Sequence, residues 1–406
     1  MKPASAPTLL VQLAEPEATA PRPAGRFALF RLGFRPLYLL AAALAALAVP
    51  IWTAQFAGAL PGPATYPGMI WHAHEMTFGF VLAVIVGFLL TAARAWTGMD
   101  TPTGRHLAGL CAIWLAARVF NYTGPIAAAL VLDAAFIVLP MISIGIVLVR
   151  ARSRRNFFVL IVLTAFLLAN TLFHLAATGR VAFSPLDAGR FFVFTVIALI
   201  CVIGGRVIPT FTSNALRGIR QFRSQALDIA ALAATVLALL LVLVGATAAV
   251  AAAACLIAAA LQAMRLAGWN PWATRGTPIL WILHLSYAWI PIGLVLLALG
   301  AVGILAPSAG LHALTVGAIG GLIIGMITRT ALGHTGRPLK AGRVEVTAYV
   351  LVQAAVVLRL VPMLATALPY LPWTIAAAIA WSLAFTVYFA KYAPMLAAPR
   401  IDGRPG

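Results

Sequence analysis

Charge is what this sequence has least of: 9% of its 406 residues are charged, 63% are hydrophobic, and mean hydropathy is +1.01. A soluble domain carries about a quarter charged residues, so a soluble globular surface is excluded. Alternating ten-residue segments are missing too; the apolar runs last about twenty residues, which excludes an outer-membrane β-barrel and leaves helices to satisfy the backbone in lipid. Cysteine is nearly absent. Cys111, Cys201 and Cys255 stand apart in apolar runs, with no Cys-x-x-Cys pair and no Cys-x-x-Cys-His site for covalent haem. Buried free thiols are expected, and any haem must be held non-covalently. The His-Glu-x-x-His spacing of zinc proteases does not occur. Residues 1–30 lack an apolar h-region with a small-residue cleavage site. Pro- and Ala-rich and carrying Glu15 and Glu17, they read as a disordered cytoplasmic tail without a cleaved signal.

What is present is an all-α polytopic membrane protein. Breaks at Arg, Pro and Gly divide residues 31–396 into about 12 transmembrane helices, at 36–56, 70–93, 105–122, 126–150, 156–177, 189–210, 227–247, 248–267, 279–302, 311–333, 346–366 and 371–394. Residues 397–406 form a C-terminal tail. Basic residues gather before helix 1, between helices 4 and 5 (Arg150, Arg152, Arg154, Arg155), after helices 6 and 10, and at the C-terminus, all on one side of this count. Both termini are therefore expected in the cytoplasm, and the net charge of +19 reflects orientation rather than nucleic-acid binding. Tyr66, Trp71, Tyr370 and Trp373 suit an interfacial aromatic belt on the other side.

Against this background the stretch Trp71-His72-Ala73-His74-Glu75-Met76 stands out. Ionisable groups inside a span are costly and mark function by default. Helical residues advance about 100° each, so His72 and His74 point about 200° apart and cannot face one metal. His174 and His312 lie at the same outer level. His284 and His334 lie nearer the cytoplasmic side, with the helix expected to fray before His334 at Gly333 and Gly336-Arg337-Pro338. Neutral imidazole suits iron, copper and zinc, and a water-poor helical site favours a redox cofactor. Glu75 is a candidate proton relay or second-layer partner, or else a carboxylate paired with an arginine. Arg118, Arg206 and Arg359 are intramembrane cations, and Asp133 is a partner for one of them. Arg206 follows two glycines that let the backbone approach something bulky, which suggests a haem propionate or an anionic lipid head. Gly317, Gly321 and Gly325 form a stripe that means either close helix packing or room for a flat macrocycle.

These residues resemble the NnrS family. The resemblance rests on Arg35-Pro36-Leu37, Trp71-His72-Ala73-His74-Glu75-Met76 with Gly87-Phe88-Leu89-Leu90-Thr91-Ala92, Gly205-Arg206-Val207-Ile208-Pro209, His312-Ala313-Leu314-Thr315-Val316-Gly317, and Gly333-His334-Thr335-Gly336-Arg337-Pro338-Leu339. It implies a bacterial inner-membrane protein of twelve helices that contains haem and copper and serves nitric oxide metabolism and protection from nitrosative stress.

An internal similarity accompanies it. A shift of 238 residues aligns His74 with His312, Thr77 with Thr315, Gly79 with Gly317, Ile85 with Ile323, Gly87 with Gly325, and Thr97-Gly98 with Thr335-Gly336. Helices 2 and 10 read as repeats, which suggests three four-helix units resembling the catalytic subunit of haem-copper oxidases and nitric oxide reductases. The expectation is a haem b and copper protein that binds nitric oxide and reduces it, with electrons from quinol or a periplasmic donor. An outer centre uses His72, His74, His174 and His312, one for haem iron and its neighbour for copper, with Glu75 as proton donor. His284 and His334 belong to a second, inner cofactor site, and Arg206 pairs with a haem propionate or an anionic lipid head. Alternatives are a nitric oxide sensor or scavenger, and a transporter of haem, metal or a small anion.

Overall fold

The computed structural model describes residues 27–404; most of the expected N-terminal tail, residues 1–26, lies outside them. The described residues form twelve long helices and no strand: α1 (Phe34–Phe56), α2 (Gly68–Thr97), α3 (Gly104–Thr123), α4 (Ile126–Arg150), α5 (Phe158–Ala177), α6 (Pro185–Ala215), α7 (Gln225–Leu243), α8 (Ala248–Gly268), α9 (Pro278–Ala301), α10 (Pro307–His334), α11 (Arg343–Leu364) and α12 (Tyr370–Ala397). Eleven are long and apolar enough to cross a membrane. The exception, α3, has the length, but Arg105, His106, Arg118 and Asn121 lower its apolarity. The protein is an all-α polytopic membrane protein.

Local chemistry sets several helix starts. Pro185, Pro278 and Pro307 open α6, α9 and α10, where the missing N–H is one that a helix leaves free. The Ser184 and Ser224 hydroxyls accept the N–H groups of Leu186 and Leu227, capping α6 and α7. The helix containing His312 runs through His334 rather than fraying before it. The tail then returns to this end: Ile401 N donates to Thr335 O (3.2 Å) and the Arg400 guanidinium to His334 O (3.4 Å).

Helices pack in three consecutive arcs, α11–α12–α1–α2, α3–α4–α5–α6 and α7–α8–α9–α10. The last member of the middle arc, α6, packs against both α2 and α10, so the arc ends meet at the centre. That is the arrangement of three four-helix units. The kinship of α2 and α10 extends to backbone shape. Each carries a wide, π-helical segment directly after its aligned histidine, Glu75–Val81 and Ala313–Gly320, starting 238 residues apart. Such segments are rare and frequently occur at functional sites. Each also ends on a left-handed glycine, Gly98 at φ 67° and Gly336 at φ 76°. Gly87 of α2 sits on Phe34 and Leu37 of α1, as Gly325 of α10 sits on Ile282 and Leu283 of α9.

The stripe on α10 is a packing surface. A Cβ on Gly317 would collide with Trp289, one on Gly321 with Ser286, and one on Gly325 with Leu283, so α9 occupies the space a macrocycle would need. Gly317→Leu should therefore cost at least about 1–3 kcal/mol through overpacking. A lowered thermal midpoint of the detergent-solubilised variant is the expected reading; an unchanged one would mean α10 is not seated on Trp289.

Candidate functional site

The four histidines at the charge-poor end of the bundle divide into two pairs with different surroundings. His72 and His312 line an apolar cavity of ≈ 290 Å³ between α1, α2, α6, α10, α11 and α12. Its walls include the repeat-equivalent residues Ala73 and Leu311, Thr77 and Thr315, and Val81 and Ile319, with Trp381 from α12. The Trp52 indole stacks on the His72 ring, centroids 4.2 Å apart and planes 25° apart. Buried His72 Nδ1 has no hydrogen-bond partner. His312 Nδ1 donates to Ser308 O at 2.8 Å, which fixes the tautomer and leaves Nε2 with its lone pair.

Two arginines also reach this cavity. Arg359 donates to Thr374 Oγ1 (2.8 Å) and lies over the rings of Trp52 and Tyr370, with no carboxylate partner among the described residues. Arg190 pairs with Asp187 at 2.8 Å. It stands five residues into α6, the place His312 holds in α10. The cavity thus combines two imidazoles, an apolar wall and an unneutralised guanidinium.

His74 and His174 belong to a buried polar cluster built by α2, α3, α4 and α5. With Asp133 of α4 they form a group whose ligand atoms lie within 4.8 Å of one another. Asp133 Oδ2 is 3.3 Å from both His74 Nε2 and His174 Nε2 and accepts from Asn121 Nδ2 at 2.8 Å. The Arg118 guanidinium bridges the two acids, reaching Asp133 Oδ1 and Glu75 Oε1, the latter at 2.8 Å. Glu75 Oε1 is also 3.1 Å from His74 Nδ1. Space for the Arg118–Glu75 pair comes from Gly79, where a Cβ would lie 2.9 Å from both side chains.

Tyr66, in the connection before α2, places its hydroxyl 2.7 Å from His174 Nδ1 and so turns Nε2 towards Asp133. Burial, reinforced by Asp133 and Glu75, raises the Tyr66 phenol far above its ordinary value, keeping it protonated. His74 Nε2 lies near Asp133 without hydrogen-bond geometry, and Glu75 Oε2 has no partner. The cluster thus gathers two carboxylates and two imidazoles around one guanidinium.

The remaining candidates lie elsewhere. Glu75 belongs to the polar cluster and not to the cavity wall. His284 Nε2 is 2.9 Å from Thr212 Oγ1 and packs near Trp269, whereas His334 packs on Phe34, so their contacts differ and neither lines the cavity. The bulky group beside Gly205 is the chain's own Arg265 guanidinium, held by Asp228 and Tyr287; Arg206 itself is exposed. Sequence reasoning assigned Tyr66 and Tyr370 to an interfacial belt and did not single out Trp52, Arg190 or Asn121. The matching helix position of Arg190 and His312 was a readable signal; the stacking of Trp52 left none.

A helical bundle with a histidine-lined cavity beside a buried histidine–carboxylate group defines a polytopic membrane protein with donor side chains gathered between its helices. The NnrS protein family model matches residues 28–400, nearly the whole chain. The chain belongs to the NnrS family, membrane proteins of the nitric oxide response. No curated protein matches it.

Proposed function

We propose that this protein is a haem b and copper protein of the bacterial inner membrane that binds nitric oxide and reduces it. The observation that carries this reading is the division of two near-adjacent histidines between two donor sets, His72 with His312 and His74 with His174 and Asp133. The cavity suits haem. It offers imidazole nitrogens free of protein partners, an apolar enclosure, and Arg359 as counter-charge for a propionate. The cluster suits copper: two imidazoles and one carboxylate oxygen converge, and one imidazole nitrogen has no hydrogen-bond partner. When bound, iron and copper supply paired redox centres that take up nitric oxide and deliver electrons to it.

The chain's own residues do the rest. Ser308 O fixes the His312 tautomer and Trp52 fixes the plane of the His72 ring. Phe80, Val81, Val316, Ile319 and Trp381 keep water from the cavity. Arg118 holds Glu75 through Oε1, leaving Oε2 as the atom where a proton is held or passed on. The basic end of the bundle is placed in the cytoplasm, so both donor sets lie in the periplasmic half.

Anaerobic incubation of reduced, haem- and copper-loaded protein with nitric oxide tests the reading. Multiple turnover to nitrous oxide is expected. Stoichiometric binding without turnover would reduce the role to a sensor or scavenger, and loss of all haem on purification would remove the haem assignment.

A further inference from the structure

Beside the cavity lies a second recess of ≈ 420 Å³, lined by Arg190, Phe194, Val242, Ala251, Leu297 and Leu311 among others. Arg190 and Leu311 line both spaces, so a single layer of side chains separates the recess from the cavity that holds His312. Flanking it are the connections 244–247 and 302–306, which contain no charged residue. Their tips expose Val244 (74%), Val302 (46%) and Ile304 (67%), and Val250 in the first turn of α8 is 51% exposed. Apolar tips at the end of a membrane bundle lie in lipid rather than in water. A recess with an apolar lining between such tips suits a membrane-soluble occupant.

Arg190 is the polar residue of the lining. It pairs at 2.8 Å with Asp187, which stands just outside the lining, each side chain somewhat more than a third exposed, so a donor lies in the apolar slot with an acceptor beside it. Phe194 supplies an aromatic face within it. That combination fits a ring with a hydroxyl to donate, an oxygen to accept, and an apolar tail directed into lipid.

We propose that a lipid-soluble hydroquinone binds in this recess and is the electron donor to the cavity. The inference rests on the reductase reading above. Oxidation of one hydroquinone to quinone breaks two O–H bonds and releases two electrons and two protons. The electrons pass across the Arg190–Leu311 layer and the protons pass to the Asp187 carboxylate and on to water. Joining two nitric oxide molecules into nitrous oxide and water consumes two electrons and two protons, so the exchange balances with no further reductant.

Photolabelling of the reconstituted protein with an azido-substituted decylquinone provides the test. Label is expected on the α6, α8 and α10 peptides that carry Phe194, Ala251 and Leu311, and decylubiquinol should displace it while added phospholipid does not. Ala301→Phe and Ala246→Phe, which fill the recess from its rim, should each lower labelling and slow haem reduction by decylubiquinol at least about tenfold. Their dithionite-reduced spectra should match the unsubstituted protein, separating recess blockage from misfolding. Labelling elsewhere, or displacement by phospholipid alone, overturns the proposal. Protein that purifies without haem would defeat the cofactor reading while the labelling result still decides on the recess.

Discussion

His312→Ala is expected to remove most of the haem absorbance, and His72→Ala to do the same, each with the helical bundle intact. The expectation follows from the cavity. The rest of its wall carries apolar, hydroxyl and guanidinium side chains, so these two imidazoles are its available nitrogen ligands. His312 is the better prepared, because the bond from Nδ1 to Ser308 O sets the tautomer with Nε2 unprotonated before any ligand arrives. If these imidazoles hold the iron, loss of either would remove a coordinate bond to it. His284→Ala and His334→Ala serve as controls. One removes a contact to Thr212 and the other a contact to Phe34, and neither should alter the spectrum. Reduced-minus-oxidised spectra and haem extraction of the four variants check the assignment. An unaltered spectrum in both His72→Ala and His312→Ala would refute it, and a loss in His284→Ala or His334→Ala would place haem towards the basic end instead.

The sequence already contained the divergence of the two donor sets, because helical geometry turns His72 and His74 about 200° apart whatever surrounds them. It also contained the pairing of an acid with an intramembrane arginine, since an isolated ion in lipid is too costly to persist; Arg118 proves to hold both Glu75 and Asp133. The internal shift of 238 residues was visible as scattered matches. The π-helical segments and the left-handed glycines give those matches a common backbone. Partnership between histidines was beyond reach. Which of His174 and His312 joins His72, and which joins His74, depends on how the arcs close in three dimensions, and periodicity within one helix carries no such information. Glycines misled for a related reason. Gly205 did predict a close approach, but the approaching group is Arg265 from α8, and a sequence pattern does not distinguish a cofactor from another helix.

The buried cluster makes the sharpest separation between stability and metal binding. Arg118→Met should destabilise the protein by about 3–5 kcal/mol, because two carboxylates are left in the membrane interior without their shared cation. Poor accumulation in the membrane, or a strongly lowered thermal midpoint, is the expected reading. Asp133→Asn acts differently. The side chain that faces His74, His174 and Asn121 loses its carboxylate, while Arg118 keeps Glu75. This variant should fold with a smaller loss, yet bind far less copper, since one oxygen ligand and the electrostatic attraction for a cation go together. Its haem content should stay near that of the unsubstituted protein, because Asp133 does not line the cavity. The double variant Arg118→Met, Asp133→Asn should recover part of the stability lost in Arg118→Met, as removal of both partners leaves fewer unpaired ions buried than removal of one. Copper by elemental analysis, haem by extraction and thermal midpoints for the three variants decide the matter together. Full copper in Asp133→Asn would show that the cluster is an ion-paired strut between α2, α3, α4 and α5 and that copper, where present, is held elsewhere.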